Sequence, residues 1–207
     1  MILTGLRGFK DVIFNCISLN LSTIVLIMFA FKKKYFFIIE SIKDLELKNI
    51  KKNNKLTIIY RRGNKKIEDI EKLKIYRKTC HLKSVKFFIA NNASLAVLLK
   101  ADGLYVSSYN KSFRCLFLKN ANYSVIGSAH NIKEIQLKNK QGCGHILMSR
   151  LFKVSYDNNN FFYGIIKFNN FLRISKNLIP LGGINHSNLN TLKNLSSEGV
   201  AIMTEIK

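Results

Sequence analysis

The chain contains no tryptophan, one proline (Pro180) and only 12 acidic residues against 34 lysines and arginines. Lys, Asn, Ile and Phe crowd in instead, a bias that base composition produces as readily as selection. It excludes no function. The four cysteines, Cys16, Cys80, Cys115 and Cys143, lie far apart with no C-x-x-C pair. That spacing excludes the common zinc ligand sets and an obvious disulfide framework, and implies reduced, mostly buried thiols. His81, His145 and His186 have no neighbours suggestive of metal binding and read as structural or exposed.

The shortage of acid leaves a formal net charge of +22, which attracts phosphate-rich molecules. The basic residues are strewn along the chain in groups no longer than Lys32-Lys33-Lys34, and there is no zinc knuckle, aromatic RNA-binding signature or helix-turn-helix. The charge reads as solvated faces, without a specific nucleic-acid site.

With 207 residues, 47% of them hydrophobic, the chain suits one globular domain with a short appendage. Residues 1–34 form that appendage. Val12 to Phe31 carries no charge and is followed at once by three lysines. Its length matches a bilayer, with the lysines keeping the C-terminal side in the cytoplasm. Against an anchor, the stretch includes Asn15 and Asn20, and strand-like residues begin at Tyr35. Two readings stay open: an over-extended frame whose natural start is Met28, or an anchor through residues 12–31. No small-residue cleavage site follows the apolar run, which argues against a signal peptide. The expected location is the cytoplasm, or the cytoplasmic face of a membrane for the anchored form.

From Tyr35 onward, eight apolar runs recur: Tyr35–Ile39, Leu56–Arg61, Lys86–Asn91, Gly103–Ser107, Tyr123–Ala129, His145–Arg150, Leu178–Gly183 and Gly199–Ile206. They are rich in β-branched and aromatic residues and nearly continuous in apolarity, as strands buried on both faces are. Helical patterns separate most of them, at Ile67–Lys74, at Ile132–Leu137 and at Leu189–Leu195. Ser108–Asn122 is polar and irregular, and no helix follows the eighth strand. Eight strands alternating with helices predict an α/β fold, a TIM (β/α)8 barrel over residues 35–207 without its last helix.

Function in such a barrel sits at the C-terminal strand ends. There the sequence reads Gly182-Gly183-Ile184 after the seventh strand and Gly199-Val200-Ala201-Ile202-Met203-Thr204 in the eighth. The fifth ends Gly127-Ser128-Ala129-His130, the third ends Ile89-Ala90-Asn91-Asn92, and the fourth contains Ala101-Asp102-Gly103. Together these stretches resemble the thiamine-phosphate synthase/TenI family, whose counterparts read roughly AIGGI, GVAVISAI, GVSAH, FIIND and ADGVHLGQ. The resemblance covers Tyr35 to Lys207.

The resemblance implies thiamine biosynthesis: joining hydroxymethylpyrimidine diphosphate to a thiazole phosphate with release of diphosphate. It places a phosphate on Gly182, Gly183 and the backbone at Met203 and Thr204, where glycine lets amides approach closely. Asn91 and Ser128 join the substrate site, and Arg61, the residue kept from the family's Q-x-R-x-K, becomes catalytic. The family's Mg²⁺ rests on two Asp residues. Here those positions hold Asn92 and, at or near, Asn110. An amide oxygen brings no charge, so Mg²⁺ binding and synthase activity weaken. Arg62, Arg150 and Lys153 could supply positive charge instead. The TenI branch lacks the carboxylates, and some members isomerise a thiazole phosphate carboxylate with a His at the position of His130. Imidazole suits such a proton transfer near neutral pH. The expected functions are therefore synthase, thiazole tautomerase, or a non-catalytic barrel that binds phosphorylated thiazole or thiamine phosphate. The expected partners are small phosphorylated ligands and, for the uncovered flank, a second copy of the chain.

Overall fold

A computed structural model describes residues 33–154 and 161–203. The apolar stretch at residues 12–31 and Thr204 lie outside the described residues, and so does the end of the chain, where the expected absence of a last helix falls. Eight parallel strands close into a barrel in sequence order: β1 (Lys34–Ile39), β2 (Leu56–Tyr60), β3 (Lys86–Ala90), β4 (Gly103–Val106), β5 (Ser124–Ala129), β6 (His145–Ser149), β7 (Leu178–Leu181) and β8 (Gly199–Met203). Closure comes from β1 pairing with β8, with Tyr35 opposite Val200 and Phe37 opposite Ile202. This is the expected TIM barrel.

Strand alternation sorts the apolar runs into two cores. Phe36, Ile38, Ile59, Phe88, Tyr105, Ile126, Leu147 and Ile179 fill the barrel interior. Their neighbours Phe37, Ile58, Phe87, Leu104, Val125 and Ile146 point outward under the helices. Each such side chain contributes roughly 1.5–3 kcal/mol on burial. The interior is wide enough for two phenylalanines only because glycines face them. A Cβ at Gly103 would lie 2.3 Å from the Phe88 ring and 2.1 Å from the Ser124 carbonyl oxygen, and one at Gly199 would lie 3.0 Å from the Phe36 ring.

Helices α1 (Ile70–Leu82), α2 (Ala93–Leu98), α3 (Cys115–Asn120), α4 (Ile132–Lys140) and α5 (Gly164–Ile174) follow β2 to β6 in turn. Asp69, Asn92 and Asn131 cap α1, α2 and α4 by accepting the Lys72, Leu95 and Glu134 amide N–H groups, which satisfies donors that the first turn leaves orphaned. The irregular stretch before Asn122 contains only the six-residue α3.

The helical pattern at Leu189–Leu195 needs correcting. His186–Asn194 is a 3-10 helix, capped by Asn185. A spacing of three between leucines matches three residues per turn better than 3.6, and the Asn and Ser side chains compete for backbone bonds. Two shorter 3-10 turns, Ile42–Asp44 and Leu47–Asn49, replace a helix between β1 and β2 and bury Leu45, Leu47 and Ile50 against the flank.

The Ala101-Asp102-Gly103 motif proves to be a structural clamp. Asp102 accepts the Phe87 N–H at 2.8 Å and pairs with Arg77 at 3.1 Å, tying β3, β4 and α1 together at the N-terminal end of the barrel. At the same end, Glu198 takes Lys34 at 2.9 Å and His145 Nε2 at 2.5 Å, with the His145 ring against Phe36. His145 is thereby structural.

Candidate functional site at the barrel mouth

Parallel strands in one closed barrel carry their C-terminal ends to one rim. Arg61 follows β2, Asn91 and Asn92 follow β3, Ser128 is the penultimate residue of β5 with His130 just beyond the strand, Gly182 and Gly183 follow β7, and Met203 ends β8. Residues separated by more than 140 positions therefore share a mouth.

The floor of the mouth is the Tyr105 side chain, buried in the interior with Ser128 and the Arg61 guanidinium near its hydroxyl. Burial pushes the Tyr105 hydroxyl above its ordinary pKa, although Ser128 and Arg61 pull the other way, so it stays neutral. Arg62 is held differently. Its Nε donates to the Lys66 carbonyl and its Nη1 to the Glu40 carbonyl, which makes it a loop tie.

Asn91 has a left-handed backbone (φ 57°), a conformation Asn tolerates better than most residues. Its Nδ2 donates to Ser107 Oγ (2.7 Å) and the Tyr109 hydroxyl (2.9 Å). Its Oδ1 accepts the Ser107 N–H (3.0 Å) and Asn110 Nδ2 (3.2 Å). That uses the whole hydrogen-bonding capacity of the amide, so Asn91 organises the loop after β4. The two positions expected for metal carboxylates are also engaged. Asn92 Oδ1 accepts the Leu95 N–H at 2.9 Å, and Asn110 Oδ1 accepts the Ser112 N–H at 3.0 Å. With neutral amides whose oxygens already accept backbone N–H groups, these residues do not fit Mg²⁺. Among the described residues no cluster of three His, Cys, Asp or Glu could hold a metal.

His130 is exposed on the rim, its backbone N–H bound to Glu134 at 2.8 Å. Its Nδ1 lies 2.9 Å from Ser149 Oγ, and the Tyr163 hydroxyl donates to its carbonyl. The sequence reading missed Ser149. The strand register contains the signal, since Ala129 lies opposite Met148 and one step on brings His130 opposite Ser149.

Gly182 and Gly183 both have positive φ, 95° and 69°. A Cβ on Gly183 would fall 2.4 Å from the Phe152 carbonyl oxygen, and one on Gly182 would touch Arg150 at 3.4 Å. The glycines thus let the loops after β6 and β7 pack together. Arg150 is brought beside the Gly182 turn, and Met203 packs on the interior cluster.

A closed parallel barrel with its polar side chains gathered at the C-terminal rim defines a protein of the TIM-barrel class. The family model for thiamine monophosphate synthase matches residues 44–206, and the chain belongs to that family. A thiamine-phosphate synthase from Prochlorococcus marinus is 28% identical over 123 residues, covering 58% of this chain and 35% of that protein. The chain thus matches about a third of the length of that curated relative. Thiamine phosphate pyrophosphorylase from Pyrococcus furiosus superposes with a TM-score of 0.66 at 18% identity, over 83% of this chain and 85% of the other. A 3-keto-L-gulonate-6-phosphate decarboxylase from Vibrio cholerae gives 0.57 at 8% identity, over 84% and 88%. At these identities the two structures share the fold alone. Among the described residues no helix is long and apolar enough to cross a membrane.

Proposed function

We propose that the protein binds a phosphorylated thiazole or thiamine phosphate at the barrel mouth, in the cytoplasm. Of the two activities in its family, we assign it proton transfer on a thiazole phosphate carboxylate. The observation that carries this reading is the His130–Ser149 pair on the rim, 2.9 Å apart, with neutral amides at the positions expected for the synthase carboxylates. Isomerisation needs one group to take a proton from one position and return it to another, with no net charge to neutralise and no co-reactant. Ser149 on Nδ1 orients the imidazole and leaves Nε2 for the substrate. The Gly182-Gly183 turn and the backbone at Met203 would receive the phosphate, with Arg150 at its side.

A second reading, the synthase, draws support from Arg61, whose guanidinium lies near the Tyr105 hydroxyl at the mouth. Arg61 and Arg150 would then neutralise the departing diphosphate.

One experiment separates the two. The purified chain is incubated with the thiazole phosphate carboxylate tautomer, and separately with the pyrimidine diphosphate and thiazole phosphate, each with Mg²⁺ and with EDTA. Products are followed by NMR and mass. The expected result is tautomer conversion insensitive to EDTA and lost in His130→Ala. Thiamine phosphate formed only with Mg²⁺ would overturn the assignment in favour of the synthase.

A further inference from the structure

Beneath the mouth lies a buried cation that the proposed reaction leaves unused. Lys138, on α4, is fully buried, and its Nζ lies 2.8 Å from the Ser107 carbonyl oxygen, 2.7 Å from that of Asn110 and 2.9 Å from Gln141 Oε1. Three acceptors match the three N–H bonds of an ammonium, whereas a neutral amine would leave one oxygen without a donor. Burial lowers the Lys138 pKa, while the geometry offers one acceptor for each N–H of the charged form. None of its hydrogen bonds goes to a carboxylate. Buried Gln141 extends the arrangement, donating Nε2 to the Asn110 carbonyl (3.0 Å) and the Ser112 carbonyl (2.8 Å).

The carbonyls of residues 107, 110 and 112 therefore converge on one helix. This same stretch supplies Ser107, Tyr109 and Asn110 to the Asn91 cluster. Carbonyl oxygens gathered around a cation are what a hard metal ion ordinarily collects. A buried charge is costly to maintain, and is tolerated where every donor is satisfied. Room for the lysine stem comes from Gly127, where a Cβ would sit 3.0 Å from Lys138 Cδ and Cγ and 2.9 Å from Cys143 Sγ.

We propose that Lys138 is a positioning residue, a cation built into the chain that orders the β4 loop and the Asn91 cluster. The phosphorylated ligand is then bound without Mg²⁺. The ligand clause rests on the binding reading above, while the loop clause stands on the geometry alone.

Two measurements test it, with thiamine phosphate as the probe. Hydrogen exchange of residues 107–114 is compared in the wild type, Lys138→Met and Gly127→Ala, each in EDTA and in Mg²⁺. The wild-type loop is expected to be protected equally in both buffers, and both variants to exchange about tenfold faster or more there, as loss of a charge-assisted bond implies. Amides of β1 to β3 should keep their protection in any variant that folds. If Lys138→Met does not fold, Gly127→Ala carries the comparison. Unchanged loop protection in the variants, or wild-type protection that requires Mg²⁺, overturns the proposal. The second measurement is the ligand-induced rise in Tm, expected to be equal in EDTA and Mg²⁺ for wild type and lost in both variants. A rise seen only with Mg²⁺ overturns the metal-free clause. No rise in any buffer defeats the binding reading, and hydrogen exchange still decides the role of Lys138.

Discussion

Replacing Asp102 tests whether the family-like Ala101-Asp102-Gly103 motif is structural. Its carboxylate accepts the Phe87 N–H at 2.8 Å and Arg77 Nη2 at 3.1 Å, and Phe87 is wholly buried. In Asp102→Ala the N–H of buried Phe87 loses its side-chain acceptor, a cost of roughly 1–3 kcal/mol. The Arg77 pair is partly exposed and adds at most about 1 kcal/mol. The sum, roughly 1–4 kcal/mol, corresponds to a fall in Tm of about 2–16 °C for a chain of this size. Asp102→Asn keeps an oxygen for Phe87 and loses only charge, so it should cost about 1 kcal/mol. Thermal unfolding followed by circular dichroism reads both numbers. Asp102 lies at the N-terminal end of the barrel, away from the rim that carries His130 and Gly183. Folded Asp102→Asn should therefore bind thiamine phosphate as the wild type does. An alanine variant within about 1 °C of wild type, or an asparagine variant that loses ligand without losing Tm, would refute the reasoning.

Gly183→Ala should cost the ligand-induced Tm shift and lower the resting Tm, because its Cβ would fall 2.4 Å from the Phe152 carbonyl oxygen at φ 69°; an unaltered shift would show that the turn does not serve the ligand. Stability should fall on acidification. Burial holds His145 below its ordinary 6.5, outweighing Glu198, while Lys34 and His145 together outweigh burial and hold Glu198 below 4.5. In both cases the unfolded chain binds more protons, so the His145 contribution is complete above about pH 6.5 and lost progressively below it, and the Glu198 contribution is lost below about 4.5. Tm scans from pH 8 to 4 should show the decline, shallower in His145→Gln, and a Tm that rises between pH 7 and 5 would contradict it. Burial pushes the Cys80 and Cys143 thiols up to about 12 and raises Cys115 as well. All three should ignore a thiol reagent in the native protein and react on unfolding, which mass mapping of labelled peptides checks.

Local pattern alone carried the strand count, the strand order and the rim. Runs such as Phe87-Phe88-Ile89 and Ile146-Leu147-Met148 are apolar on both faces, and only a parallel sheet covered on both sides accommodates that. The turn at Gly182-Gly183 was legible for the same reason, since it is a property of the residues and their immediate neighbours. Tertiary contact decided the rest. Helical spacing puts Lys138 on the face of Ile135, away from Lys133 and Lys140, but its bonding partners are carbonyls about 30 residues away that no local pattern names. Ser149 found His130 only through the register between β5 and β6. Asn92 and Asn110 looked like weakened metal ligands until the backbone donors that occupy them came into place. Periodicity is written residue by residue, whereas the partner of a polar group is chosen by closure of the barrel.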